Sequence, residues 1–345
     1  MINIDQNDLS EARRLNRRLA WSPRFPVPHR LGAWLMQSLL VLSQSGADRK
    51  LRRAGIRVEA RTAAADGATV SLRLLRPSTP VRGVVLDIHG GGWAIGNARM
   101  NDALNAALAE ACGVAVVSVD YRLASATPIS GLIEDCLVAA RWVLGGGLPE
   151  YRGLPVVLVG ESAGAHLAAA TLLELKRWPD LLGRVAGAVL YYGVYDLAGT
   201  DSARRAGPAT LVLKGPRLIT GLQRLTPGMS DDQRREPPLS PLYGDLRGLP
   251  PALMFVGELD PFQDDTLRMA ERWREAAEVE LHLLPEAPHG FIHFNTGMAS
   301  KVLARGHAWI CSRLADPAGQ AEAGGGVRPA GGSAEPHTIS MPPLT

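Results

Sequence analysis

The chain has 345 residues, 46% hydrophobic and 21% charged, enough to bury one large core or two small ones. Its net charge of +3 is small for that length, and no Lys/Arg stripe interleaved with aromatics appears, which argues against a nucleic-acid partner. Three cysteines, Cys112, Cys136 and Cys311, lie far apart with no metal-ligand spacing, so free thiols in a reducing, cytoplasmic compartment are expected, with no metal and no cofactor.

The first eighteen residues are polar and charged and lack an apolar h-region, so no secretory signal is expected. Residues 1–52 read as helical: 9–19, a proline-rich stretch over 21–28, then 31–43. The apolar run 31–42 is too short to span a bilayer, so no stable membrane insertion is expected. Its Leu31, Trp34, Leu35, Leu39 and Leu42 fit one helix face, read as packed on the protein itself rather than lying on a membrane surface. Residues 56–62 and 69–75 alternate around Asp66-Gly67 and predict an antiparallel hairpin at a sheet edge.

From Val84 the rhythm becomes strand, helix, strand. Strands are expected over 84–88, 114–119, 156–159, 185–192, 252–256 and 279–284. Helices are expected over 102–112, ended by Gly113, and over 129–144, 266–277 and 298–314. That alternation predicts an α/β fold with a mostly parallel sheet and helices on both faces. Residues 197–245 interrupt it: no strand pattern, several prolines, and a helix-like run over 209–225. An insertion there, at the carboxyl ends of the strands, is where a lid would sit. The segment 316–345 is rich in Gly, Ala and Pro and is expected to be disordered.

The segment carrying chemistry is Gly160-Glu161-Ser162-Ala163-Gly164, between a β-branched strand and an alanine- and leucine-rich helix that runs to Leu175. Strand, G-x-S-x-G, helix is a nucleophile elbow, with the glycines leaving room for a strained turn. Such a serine needs a base, an orienting acid and oxyanion donors. His89-Gly90-Gly91-Gly92-Trp93 follows the 84–88 strand, and its glycines can turn N–H groups into a cavity. Gly91, Gly92 and Ala163 are the candidate donors. Asp260, just after the 252–256 strand, is the candidate acid, with Glu258 next in line. Asp264 and Asp265 read as helix-start charges. His289, after the last strand, is the candidate base. His166 reads as packing, and His29, His282, His293, His307 and His337 as structural or solvated.

The chain order Ser162, Asp260, His289 is that of the α/β-hydrolases. The sequence resembles the hormone-sensitive-lipase-like esterases of that superfamily, bacterial family IV, which include arylacetamide deacetylase. The matching residues are His89 to Trp93, Asp120-Tyr121-Arg122-Leu123-Ala124, Glu134-Asp135, Gly160 to Gly164, Asp260-Pro261 and His289-Gly290-Phe291, spanning roughly 55–315. It departs from the family at Glu161, where Asp or Thr is usual, and at Ser125-Ala126, where Pro-Glu is usual. The resemblance implies an α/β-hydrolase fold with a helical cap: an N-terminal cap segment 1–52, a catalytic domain 53–315, and a cap insertion at 197–245. It also implies hydrolysis of short- to medium-chain acyl esters. The expected partner is a small-molecule ester, and a homodimer is admissible. Two other readings use the same fold: an amidase or arylformamidase, and a ligand-binding receptor like the plant gibberellin receptors. Such receptors lose the triad histidine, which is present here as His289.

Overall fold

The computed structural model describes residues 2–24 and 30–315. The 316–345 segment, residues 25–29 of the proline-rich stretch, and with them His29 and His337, lie outside the described residues. Three helices open the chain: α1 (Gln6–Leu19), α2 (Arg30–Ser43) and α3 (Ala47–Arg53). The hairpin follows as β1 (Arg57–Ala65) and β2 (Ala68–Arg76). It runs further than the alternation predicts. Asp66 and Gly67 both take positive φ, 51° and 81°, the two-residue turn whose twist matches the strands.

The alternating part is β3 (Gly83–Ile88), α4 (Asp102–Cys112), β4 (Val114–Asp120), α5 (Ile129–Leu144), β5 (Val156–Glu161), α6 (Ala163–Leu175), α7 (Pro179–Leu182) and β6 (Val185–Tyr191). An insertion with three short helices follows: α8 (Asp201–Arg205), α9 (Leu218–Leu225) and α10 (Asp231–Arg235). The chain then forms β7 (Ala252–Gly257), α11 (Gln263–Arg274), β8 (Val279–Leu284) and α12 (Gly297–Ala315). Gly113 caps α4 with φ 60°, as its position predicts. The helix-like run 209–225 is helical only in its second half. Val212 takes φ 64°, and the Gly215-Pro216 turn ends any continuation from the N-terminal side.

The eight strands form one sheet in the order β1-β2-β4-β3-β5-β6-β7-β8. β1 and β2 are antiparallel to their neighbours, and β4 to β8 run parallel. Alternate residues go to opposite faces: Val84, Leu86 and Ile88 join the core with α5 and α6, while Val85 joins the core with α4 and α12. The chain leaves β3 toward β4 on one side and returns past it to β5 on the other. That reversal puts the carboxyl ends of β3 and β5 at the switch point where α/β sheets open a crevice for ligands. Ile88 pairs with Gly160 across this boundary, so the glycine turn and the serine turn emerge side by side.

Candidate active site

Ser162 sits between β5 and α6 at φ 51° and ψ −119°, a conformation that costs a non-glycine residue energy. Close packing enforces it. A Cβ on Gly164 would lie 1.9 Å from the Ile88 carbonyl oxygen, and one on Gly160 would lie 2.5 Å from the Gly164 carbonyl oxygen. Only glycine lets α6 approach β3 and β5 this closely. The Ser162 N–H donates to the Tyr191 carbonyl at 2.9 Å, which fixes the turn to β6.

Three expected residues come together. Ser162 Oγ is 2.8 Å from His289 Nε2, and His289 Nδ1 is 2.8 Å from Asp260 Oδ2. The other Asp260 oxygen accepts the Phe262 N–H at 2.8 Å. Asp260 and His289 are buried, while Ser162 is half-buried and open to a ligand. The rings of Tyr192 and Phe262 stand edge-on to the imidazole at 4.9 Å and 5.7 Å and limit its rotation. The alternative acid Glu258 is exposed.

The glycine turn is as tightly determined. Gly91, Gly92 and Trp93 take positive φ in succession, and a Cβ on Gly91 would meet the Ile95 carbonyl oxygen at 2.1 Å. The Tyr121 hydroxyl donates to the carbonyls of His89 and Gly90 at 2.8 Å and 3.1 Å, and its ring stacks on His89 at 4.2 Å. Those contacts fix the backbone of the glycine turn. Among the described residues, no hydrogen bond engages the N–H groups of Gly91, Gly92 or Ala163. Ala163 is also the first residue of α6, where the helix dipole favours negative charge. Arg122, next to Tyr121, holds Asp135 through its backbone N–H and its guanidinium. Those contacts tie the Asp120 to Ala124 motif to α5.

His166 is packing, as the sequence suggests, but specific packing. It accepts the Trp93 indole N–H at Nδ1, 3.1 Å away, and donates from Nε2 to the Leu239 carbonyl at 2.8 Å. It therefore joins the glycine turn, α6 and the insertion. Burial lowers its pKa to about 4, so the imidazole stays neutral.

One expectation is incomplete, and another resolves to one of its two alternatives. Asp265 is more than a helix-start charge. It is fully buried and accepts the N–H groups of Tyr195 and Asp196 and the Thr200 hydroxyl, anchoring the chain as it enters the insertion. Burial raises its pKa to about 7. His293 is structural, one of the two readings given to it. Its Nε2 lies 2.6 Å from Glu161 Oε2, which also accepts the Tyr192 hydroxyl at 2.7 Å. Glu161 is buried, and burial alone would raise its pKa, but the His293 charge and hydrogen bond hold it down at about 2. Glu161 in turn raises the pKa of His293. The pair links the residue before Ser162 to the loop that carries His289. No sequence spacing announces it, because Glu161 and His293 are 132 residues apart.

A cavity of about 1100 Å³ runs beside the site along α5. Ala94, Ala124, Ile133, Trp178, Leu225 and Leu239 are on its wall, and the insertion forms one side of it. Neither Ser162 nor His289 lines it.

A family model described as the alpha/beta hydrolase fold matches residues 85–293. The chain is 34% identical over 251 residues to carboxylesterase NlhH of Mycobacterium tuberculosis, covering 69% of this chain and 76% of that one. It is 28% identical over 256 residues to an acetyl esterase of Salmonella enteritidis, covering 72% and 78%. Among solved structures, esterase LipW from Mycobacterium marinum superposes with a TM-score of 0.76 at 27% identity, covering 87% of this chain and 95% of that one. The chain belongs to the alpha/beta hydrolase fold family, in its hormone-sensitive-lipase-like branch of ester hydrolases.

Proposed function

We propose that Ser162 is the nucleophile of a cofactor-independent carboxylic ester hydrolase, His289 its general base and Asp260 the orienting acid. The observation that carries this reading is the unbroken Ser162–His289–Asp260 hydrogen-bond chain, 2.8 Å at each step. The bond to Asp260 keeps a proton on Nδ1 and leaves Nε2 free to accept. Ser162 Oγ bonds to the acyl carbon while its proton moves to Nε2. The carbonyl oxygen becomes an oxyanion facing the N–H groups of Gly91, Gly92 and Ala163. Collapse breaks the ester C–O bond, and His289 returns the proton to the departing alkoxide. Water, deprotonated by His289, then attacks the acyl-serine; the acyl C–Oγ bond breaks, His289 returns the proton to Ser162 Oγ, and the acid is released.

Residues 1–52 and 197–245 form the two parts of a cap over this site. Three sets of contacts support that assignment. Gln37 and Gln44 of α2 bond to Gly96 and Asn97, just past the glycine turn. Asn16 of α1 bonds to the Glu286 carbonyl, three residues before His289. The insertion reaches His166 through Leu239. The substrates are short- to medium-chain acyl esters, a reading supported by the acetyl esterase among the relatives.

Ser162→Ala should lower kcat by several orders of magnitude with an unchanged melting temperature. Retention of more than about a tenth of the activity would overturn the assignment. A chain-length series of p-nitrophenyl esters, with matched anilides, reads acyl preference and separates esterase from amidase.

A further inference from the structure

The helix α2 does not pack as its periodicity suggests. Gln37 and Gln44, seven residues apart, share one face and bond to Gly96 and Asn97, while Met36 packs against Ala94 and Ile95. At about 100° per residue, Leu35, Leu39 and Leu42 fall on the opposite face. They are 54%, 59% and 69% exposed, flanked by Trp34 at 66% and Val41 at 52%. The apolar stripe expected to lie against the protein therefore faces outward, except that the Leu31 side chain lies outside the described residues. Trp21, at the end of α1, is 92% exposed. A soluble surface rarely presents so many large apolar side chains on one helix unless something covers them.

Charge says what that something is. Residues 1–54 hold ten Lys and Arg against four Asp and Glu, whereas the whole chain holds 37 against 34. The four acids are all engaged within the protein. Asp5 and Asp8 bind Lys301, Glu11 accepts the Gly297 N–H, and Asp48 binds Arg73 and Arg99. The cations Arg14, Arg17, Arg18, Arg49, Lys50 and Arg53 are exposed and make no ion pair among the described residues. They lie on α1 and α3, the helices on either side of α2 in the chain. Arg14, Arg17 and Arg18 surround the exposed Trp21, and α3 follows α2 after three residues, so this segment combines exposed leucines and tryptophans with unpaired cations, as segments that lie in an anionic lipid interface do. No helix among the described residues is long and apolar enough to cross a membrane, so such attachment is peripheral.

We propose that the outward face of α2, with the cations of α1 and α3, docks the enzyme onto an anionic lipid surface. Since α2 is bonded to the loop after the glycine turn, docking brings the site to esters that partition into that layer. The test uses full-length protein and sedimentation with phosphatidylcholine vesicles, with and without phosphatidylglycerol. Wild type should bind the phosphatidylglycerol vesicles and be released by high salt. L35Q/L39Q/L42Q should weaken binding at least about tenfold and leave turnover of a water-soluble ester unchanged. K50E/R53E should weaken binding to anionic vesicles more than to neutral ones. Three outcomes would overturn the proposal: no binding of wild type to anionic vesicles, undiminished binding by L35Q/L39Q/L42Q, or a dimer that this variant dissociates with no vesicle binding. S162A should bind vesicles like wild type, so loss of hydrolysis and loss of docking fail separately.

Discussion

The carboxyl edge of the sheet and the N-terminal helices differ in how many constraints hold each residue. Ser162, Gly160, Gly164, His289 and Asp260 are each fixed by a buried bond, a backbone contact or a neighbouring ring. Among the described residues, Gln37, Gln44 and Met36 tie α2 to the loop after the glycine turn, and Leu35, Leu39 and Leu42 on its other face meet solvent. A strained serine persists because its surroundings over-determine it. An exposed apolar helix is retained by few contacts and owes little of its conformation to the core. Substitutions in the first region should therefore be severe, and those on the outward face of the second nearly silent.

The largest effect should come from Asp260→Asn, which leaves the histidine without the partner that fixes its tautomer. By analogy with serine triads it costs roughly 10⁴ in kcat. Asp264→Asn should be mild, because that carboxylate, at the start of α11, accepts the Ser202 N–H and lies 3.6 Å from the exposed Arg205, away from His289. Steady-state kinetics of the two variants decide between them. If Asp264→Asn cripples the enzyme instead, the acid is misassigned.

Gly164→Ala forces a Cβ to within 1.9 Å of the Ile88 carbonyl oxygen. Separating α6 from β3 should cost several kcal/mol, seen as a melting temperature lower by roughly ten degrees or as failure to accumulate folded protein. An unchanged melting temperature would show that the elbow has slack.

Removal of residues 1–45 uncovers Ala94 and Ile95 and frees the loop at Gly96 and Asn97. KM should rise several-fold for the truncated enzyme while Ser162 still reacts with an organophosphonate. Unchanged kinetics would mean that the N-terminal helices are no cap.

The Glu161–His293 pair should appear as a pH-dependent term in stability. His293 has a raised pKa, so its contribution is complete below its ordinary value of 6.5 and is lost as pH rises through the raised value. Glu161 is held at about 2, so its contribution is complete above its ordinary 4.5 and is lost as pH falls toward 2. The pair therefore contributes most between these two ordinary values. His293→Gln should lower the melting temperature by a few degrees near pH 5.5 and by less near pH 9. A pH-independent difference would show that the ring acts only by packing.

The smallest effect should be that of Leu39→Gln, within about 0.5 kcal/mol of wild type, because the side chain is already in water. A loss of several degrees would mean that α2 packs more tightly than its exposure implies.

Local pattern made most of this protein legible. α4, α5 and β8 begin and end where periodicity and Gly113 place them. The elbow, the glycine turn and the acid and base each follow a strand closely, so their place at the sheet's carboxyl edge follows from chain order. The contacts of Glu161, His166 and Asp265 were not legible, because each joins segments separated by 65 residues or more. The broken 209–225 run misled because apolar spacing looks helical until Val212 and Gly215-Pro216 are placed in three dimensions.

By itself, then, the sequence determined the alternating strands and main helices of the sheet domain, the strand-to-loop positions of Ser162, Asp260 and His289, and the family. These depend on local periodicity and on residues such as glycine whose backbone freedom is intrinsic. Only the tertiary structure decided that His289 lies within 2.8 Å of both partners, that Glu161 meets His293, and that the apolar face of α2 turns outward. Periodicity gives a helix its apolar face, but the contacts made by the opposite face, here Gln37 and Gln44, decide which way that face points.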